Sequence, residues 1–258
     1  MRKIFILPVL FLLCISLAAS DGVKLFEKRN SFKDREAALK NIDAAIEVFR
    51  KEYETSKTDL AICNLTKAVD FKFYFLDTGT KEEKRDAFKM LTGDVEAYIK
   101  ENKPTPEIAY AGLVTWGRYG DVIDKIQAAM DGVADKVKFY GELLNKLDPS
   151  YYSHAADVGL GRLHYKAPNI IFVLTWPDKK KSKVYLESAL KDVPRHFTAR
   201  YYLCDTLWEL GYKAEAEKLF LEVINDTPRK EFYYEDLFAQ GECRKRAEEL
   251  GIGKTVKN

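Results

Sequence analysis

Apolar side chains recur at steps of three and four residues along most of the chain, which is the spacing of one face of an α-helix. In chain order, the pattern predicts helices near 33–54, 58–77, 81–104, 106–120 and 150–166. No stretch shows the sustained alternation of apolar and polar residues that marks a half-buried strand. The sequence therefore predicts an all-α fold.

Several predicted helix ends carry residues that cap helices. Thr105 stands before a proline, which is typical of an N-cap with proline in the first turn, and Asp148 also stands before a proline. Asp178 is expected to cap a further helix, and Gly251 is expected to end the last one. These signals divide the apolar pattern into separate helices.

The segment 197–228 has the form of one tetratricopeptide repeat, a unit of two antiparallel helices joined by a tight turn. Its helices can approach closely because Cys204 is small, while Gly211 makes the turn and Pro228 stops the second helix. The positions that agree in register are Leu203, Cys204, Leu207, Gly211, Ala216, Phe220, Val223 and Pro228. A single unit cannot bury its own faces, so about three stacked units are expected.

The preceding unit, 150–194, is the same repeat with an insertion between its helices. Gly161 takes the small position on the first helix, while Leu186 and Ala189 lie on the second. The apolar inserted loop, 167–178, has no charged residue before its last position, and loops of this length are often functional. Two alternatives stay open: an exposed loop is a docking patch, and a buried loop fills the open side of the solenoid.

At this point the pattern resembles a known family, the tetratricopeptide-like T component associated with TRAP (tripartite ATP-independent periplasmic) transporters. The resemblance covers residues 106–228, in the order and spacing of the stretches 106–118, 148–154, 161–168 and 188–194. It implies a periplasmic helical protein, which in the family is a lipoprotein that can assemble as a homotrimer. It also implies association with the transporter's substrate-binding subunit, and a pore or cleft that accommodates a small organic or hydrophobic ligand.

The function expected from this resemblance is that of a periplasmic accessory protein of a TRAP-type organic-acid uptake system. Such a protein would bind a small ligand, the substrate-binding subunit, or both. The rival hypothesis is a general tetratricopeptide protein of the cell envelope that holds a peptide in its groove. Neighbouring genes for a periplasmic binding protein and a two-part permease would favour the first hypothesis.

The first twenty residues have the pattern of a secretory signal peptide. Arg2 and Lys3 precede an apolar core over 4–19, and the small residues Ala18 and Ser20 stand three positions and one position before the predicted cut. The alternative is a retained membrane helix, which needs roughly 20 apolar residues. We expect cleavage and export.

Cys14 raises the question of lipidation, in which an exported cysteine is acylated. The residue before it is Leu13, whereas that chemistry needs a small side chain there. We therefore expect a mature chain of 21–258 that is periplasmic, is not lipid-anchored and forms one helical-repeat domain.

Charge argues against one class of partner. The chain has 42 basic and 40 acidic residues, and the segment 1–20 contains two of the basic ones and no acidic one, so the mature chain has no net charge. Because phosphate binding needs a concentrated positive field, nucleic acid is not an expected partner. The three cysteines that remain, Cys63, Cys204 and Cys243, are far apart in sequence, and we expect them to be buried as small apolar residues.

Repeat geometry predicts a recognition surface, because certain positions on the first helix of each unit face the concave groove. An arginine forked onto a carboxylate, beside aromatic rings, would hold an amphipathic organic ligand there. The alternative is that the rings cover helix seams and the two charges pair with each other. The predicted binding residues are Arg162, Tyr165, Tyr201, Asp205 and Trp208, together with Trp116 on an earlier helix.

The sequence contains no pattern of catalytic residues. His154 and His164 are ten residues apart on one predicted helix, roughly 80° from each other around its axis, so they share no face. There is no metalloprotease helix motif, no nucleophile-elbow serine and no thiol paired with a nearby histidine. The sequence therefore predicts a binding protein that is not an enzyme and that holds neither a metal nor a cofactor.

Overall fold

The computed structural model describes residues 21–31, 33–167 and 174–253. The predicted signal peptide, 1–20, lies outside the described residues. Residues 168–173 of the predicted inserted loop also lie outside them. Within the described ranges the chain is all-α and contains no β-strand, which confirms the predicted fold class.

The chain runs through a series of helices. A helical segment over 21–27 and a 3₁₀ turn at Lys28–Asn30 come first, and short turns of π-helix at Phe71–Phe75 and of 3₁₀-helix at Lys230–Phe232 occur later. The α-helices are α1 (Arg35–Ser56), α2 (Asp59–Asp70), α3 (Lys81–Glu101), α4 (Pro106–Val122), α5 (Lys125–Met130), α6 (Val133–Leu147), α7 (Tyr151–Lys166), α8 (Lys179–Asp192), α9 (Phe197–Glu209), α10 (Lys213–Asn225) and α11 (Tyr233–Leu250).

The helix ends confirm three of the predicted caps. The Thr105 hydroxyl accepts a hydrogen bond from the Ile108 N–H at 3.4 Å, and the Asp178 carboxylate accepts one from the Lys180 N–H at 2.8 Å. Gly251 ends α11 with a φ of 75°, a left-handed conformation that glycine adopts without strain.

The predicted cap at Asp148 is wrong, because α7 begins only at Tyr151. The Asp148 carboxylate instead accepts hydrogen bonds from the Ser150 N–H at 3.0 Å and from the Ser150 hydroxyl at 2.8 Å. An aspartate that bonds the backbone two residues onward forms a turn of its own, which here precedes the helix.

Helices α9 and α10 lie within the predicted repeat unit 197–228 and pack against each other. Cys204 and Phe220 are fully buried in one core cluster, and Gly211 makes the turn with a φ of 87°. Helices α7 and α8 pack together at Gly161, where an added Cβ would lie 2.6 Å from Leu186 Cγ. The structure thus confirms the packing positions on which the repeat register was based, and all three cysteines of the described residues are buried as predicted.

The helices form two layers. In the inner layer, α2, α4, α7, α9 and α11 each pack against the next member of the set. In the outer layer, α3, α6, α8 and α10 each pack between two successive inner helices. Packing between near neighbours is typical of helical-repeat proteins, and the chain is a helical-repeat bundle.

The inner layer closes on itself, because the last helix returns to the first part of the chain. The rings of Phe71 and Tyr234 meet edge to face with 6.1 Å between their centres, and those of Tyr74 and Phe238 lie 4.5 Å apart. Both contacts join the π-helical turn after α2 to α11. The inner helices therefore form a ring.

A buried polar cluster, made of Arg29, Asn30 and Glu235, holds the same junction; we call it the closure cluster. The Arg29 guanidinium donates to one Glu235 oxygen at 2.9 Å, and the Asn30 amide donates to the other at 2.8 Å. Asn30 also accepts from the Tyr234 N–H at 3.0 Å. Each of the three residues is less than a tenth exposed, so their polar groups depend on hydrogen bonds made within the protein.

Replacing Gly161 with leucine should destabilise the protein, because the new side chain would overlap Leu186 and the Ser182 carbonyl. Overpacking of this kind costs about 1–3 kcal/mol. The matched control is Gly241→Leu on α11, where no atom would lie within 4 Å of the added Cβ. Urea unfolding followed by circular dichroism should show a lower midpoint for Gly161→Leu alone, and equal midpoints would contradict the packing role of Gly161.

Candidate functional site

A cavity of about 810 Å³ lies inside the ring. Its walls come from the inner helices, from α5 and α6, and from residues at the start of α11. Small-molecule sites typically have volumes of about 300–1,000 Å³ and mostly apolar walls. The larger aliphatic side chains of this wall are Leu113, Val114, Ile123, Val133, Val137, Val158, Leu163 and Leu174.

Most basic side chains in the cavity wall are paired with carboxylates. The Arg118 guanidinium donates to Asp70 at 2.6 Å and lies over the Tyr74 ring, with Cζ 3.2 Å from the ring centre. Because such charges are already compensated within the protein, they have little left to offer a bound anion. The other pairs are Arg162–Asp205 at 3.1 Å, Lys166–Asp121 at 2.6 Å and Arg229–Asp236 at 2.7 Å.

Lys67 on α2 has different surroundings. Its ammonium lies 5.3, 5.3 and 4.8 Å from the ring centres of Tyr110, Tyr151 and Tyr152, and 3.4 Å from the Tyr151 hydroxyl. Among the described residues no carboxylate oxygen lies within 4.0 Å of this ammonium. We call Lys67 and these three tyrosines the tyrosine cage.

The structure brings four of the predicted binding residues together on α7 and α9. The Arg162 guanidinium donates to Asp205 at 3.1 Å and lies 5.2 and 5.5 Å from the ring centres of Tyr165 and Tyr201. Arg246 on α11 donates to the other Asp205 oxygen, also at 3.1 Å. Asp205 is only 4 % exposed and accepts hydrogen bonds from two arginines. This arrangement matches the alternative interpretation of the sequence, in which the two charges pair with each other. Arg162 also lines the cavity.

The two predicted tryptophans differ in their placement, since Trp208 is on α9 with Tyr201 and Asp205 whereas Trp116 is on α4. Trp208 packs against the C-terminal core cluster, with the Lys213 ammonium 3.7 Å from its ring centre. Trp116 is 7 % exposed, and its indole N–H donates to Glu96 at 3.2 Å. Neither tryptophan is among the described residues that line the cavity, so their part in recognition stays a prediction.

The first turn of α7 has an unusual backbone. Tyr152, Ser153 and His154 have φ values of 45°, 58° and 63°, so three consecutive residues with side chains are left-handed. Each costs roughly 1–2 kcal/mol relative to right-handed helix. Backbone strain persists where the surrounding structure holds it and is concentrated at functional sites. Here Tyr152 and Ser153 line the cavity, and the strained turn carries Tyr152 into the tyrosine cage.

Sequence reasoning missed the tyrosine cage. Its members belong to α2, α4 and α7, and nothing in the spacing of the chain places those helices around one lysine. The one available signal was the adjacent pair Tyr151 and Tyr152, since two large aromatics at a helix start are more than the cap itself requires. Lys67 by itself resembles any solvated lysine of an amphipathic helix.

Comparison with known proteins assigns no family, because no protein-family model and no curated protein matches the chain. The class of the protein is therefore defined by its architecture, an all-α helical-repeat bundle around a central cavity.

Two further observations concern the part of the chain that the structure describes. It contains no group of three or more His, Cys, Asp or Glu side chains placed to hold a metal ion. None of its helices combines the length and the apolar character needed to cross a membrane.

His196 also lines the cavity, at the start of α9, where its Nδ1 accepts the Ala199 N–H at 3.3 Å. Burial, together with the nearby Arg229 and His154, lowers the pKa of His196 to about 4. The imidazole is therefore neutral at neutral pH, as a group that accepts the helix-capping hydrogen bond has to be.

Replacing Ser153 with glycine should stabilise the protein by about 0.5–1 kcal/mol, since relief of the left-handed strain exceeds the entropy that glycine loses on folding. The matched control is Ser150→Gly, because Ser150 has a φ of −89° and gains no such relief. Thermal and urea unfolding should show a gain for Ser153→Gly only. A loss of stability in both variants would contradict the left-handed turn.

Stability should fall as the pH decreases from about 6.5 to about 4, because in this window an unfolded His196 binds a proton and the folded one does not. Protonation of the unfolded His196 lowers the free energy of unfolding by at most about 1.4 kcal/mol per pH unit. His196→Asn keeps a side-chain acceptor for the Ala199 N–H but does not titrate. Urea unfolding at pH 7, 6, 5 and 4.5 should give a shallower loss for the variant, and parallel curves would refute the assignment.

Proposed function

We propose that the protein is a periplasmic accessory protein of a TRAP-type organic-acid uptake system. It binds a small organic ligand in its central cavity and docks on the substrate-binding subunit of that system. The observation that carries the proposal is the cavity of about 810 Å³ inside the ring of inner helices. Small-molecule sites have this size and this kind of lining.

The lining favours non-covalent binding of an amphipathic molecule. Aliphatic side chains of α4, α6 and α7 form an apolar wall, and the tyrosine cage adds hydroxyl groups and one ammonium. Burial of the apolar part of a ligand supplies affinity, while a few polar groups fix its orientation.

Helix α5 is the surface we propose for the substrate-binding subunit. Ile126 and Met130 are 75 % and 77 % exposed, and their four-residue separation places them on one face of the helix. Ala128 and Ala129 of the same helix line the cavity. A subunit docked on α5 would therefore lie next to the ligand, as the transfer of an organic acid between two proteins requires.

The double variant Ile126→Glu/Met130→Glu should weaken binding to the substrate-binding subunit by roughly ten-fold or more, because two charges replace an apolar contact. The subunit is first captured from a periplasmic extract on the immobilised protein and identified by mass spectrometry. Its affinity is then measured by calorimetry. The matched control is Val184→Glu, which changes a 65 % exposed apolar residue on α8.

Equal affinity of the α5 variant and the wild type would contradict the docking surface. Capture of extended peptides in place of a substrate-binding subunit would favour the rival function, that of a general tetratricopeptide protein of the envelope.

A further inference from the structure

We infer that the tyrosine cage binds the carboxylate of a monocarboxylic acid with an apolar body, and that Lys67 is the counter-ion of this carboxylate. The inference rests on the proposed function, because it assigns the class of ligand that the central cavity takes.

The charge of Lys67 is the first reason. No carboxylate oxygen of the described ranges lies within 4.0 Å of its ammonium, and the side chain is half-buried. A partly dehydrated ammonium gains from an anion that replaces lost water.

Lys125 also lines the cavity but is exposed, so its charge is hydrated and screened. The basic residues of the wall that already have carboxylate partners are Arg118, Arg162, Lys166 and Arg229.

The tyrosine rings stabilise the ammonium without neutralising it. Ring faces attract a cation through their quadrupole but carry no net charge. Two carboxylates of the cavity wall, Asp70 and Glu235, are engaged elsewhere, Asp70 by Arg118 and Glu235 by Arg29. The cage therefore keeps a positive charge that a ligand can compensate.

Two hydroxyl groups add further donors. Tyr110 and Tyr152 line the cavity, and within residues 21–31, 33–167 and 174–253 neither hydroxyl has a hydrogen-bond partner. Burial raises the pKa of Tyr152 to about 12, so its hydroxyl is protonated at neutral pH and can donate. A carboxylate has enough lone pairs to accept from both tyrosines and from Lys67 together.

The rest of the wall determines the body of the ligand. One turn along α4 from Tyr110 the lining becomes aliphatic at Leu113 and Val114, and it continues at Val133 and Val137 of α6. Each methylene buried there raises affinity about four-fold. Apart from the exposed, hydrated Lys125, a second carboxylate would meet basic groups that are already paired, so the cavity selects monocarboxylic over dicarboxylic acids.

Titration calorimetry at neutral pH with hexanoate, octanoate, octanedioate and octan-1-ol tests this inference. Octanoate should bind about sixteen-fold tighter than hexanoate, since it buries two more methylenes. It should also bind more tightly, by roughly ten-fold or more, than octanedioate and octan-1-ol. The second carboxylate of octanedioate is left without a partner, and octan-1-ol cannot form the charge-assisted hydrogen bond.

Lys67→Met keeps an unbranched side chain that matches the four-atom stem of lysine and removes the charged ammonium. It should weaken octanoate binding by roughly ten-fold or more and leave octan-1-ol binding unchanged. Lys67→Arg should retain most of the octanoate affinity. The matched control, Lys100→Met, removes an exposed charge of α3 that is not among the cavity-lining residues and should leave both affinities unchanged.

The double variant Tyr110→Phe/Tyr152→Phe tests the same subsite if Lys67→Met fails to fold, since it removes the two hydroxyls and keeps the rings. It should weaken octanoate binding several-fold and leave octan-1-ol binding unchanged.

Equal octanoate affinity of Lys67→Met and the wild type, or equal affinity of the wild type for octanoate and octan-1-ol, would overturn the carboxylate subsite while the cavity remained a ligand site. Absence of binding by all four probes would overturn the subsite and the ligand part of the proposed function together. The α5 docking experiment decides the partner part separately.

Discussion

Arg29, Asn30 and Glu235 hold the two ends of the helical series together, and the central cavity depends on this junction. The Glu235 carboxylate accepts from both partners while shielded from water. Burial raises the pKa of Glu235, whereas Arg29 and the Asn30 hydrogen bond act in the opposite direction. Breaking a buried pair of this kind by removing one partner costs about 3–5 kcal/mol, because an uncompensated charge is left behind. Phe71, which contacts both Arg29 and Tyr234, adds apolar contact to the junction.

Closure also explains the charge pattern of the interior. An open groove would leave basic and acidic side chains hydrated, whereas a ring brings them into one partly dehydrated space where they have to be compensated. Arg118 and Asp70, 48 residues apart, and Arg162 and Asp205, 43 residues apart, are compensated by each other. Lys67 instead lies among aromatic faces that carry no net charge, and this difference makes the cavity polar on one side and aliphatic on another. An amphipathic ligand would therefore have a defined orientation.

Local features of the fold could be predicted from the sequence because local residues cause them. Thr105 and Asp178 cap helices through their own side chains, and Gly161 and Gly211 occupy close approaches and turns that only a small residue allows. The ring could not be predicted, since the pairing of Arg29 with Glu235 leaves no periodic trace. The left-handed turn at 152–154 contains no glycine that would indicate it. For Arg162 and Asp205 the sequence correctly suggested that the two side chains lie close together. It could not show that Asp205 is buried, and this burial is why the two charges pair with each other.

The closure cluster has a consequence for the order in which the protein acquires its structure. Arg29 and Glu235 are 206 residues apart, whereas most helix contacts join near neighbours along the chain. Bringing such distant residues together carries an entropic cost whose length-dependent part is on the order of 5 kcal/mol. Near-neighbour helix pairs meet no such cost, so they can assemble first and the junction forms late. The late step is also the one that encloses the cavity, so a partly folded chain has its helix pairs but no central cavity.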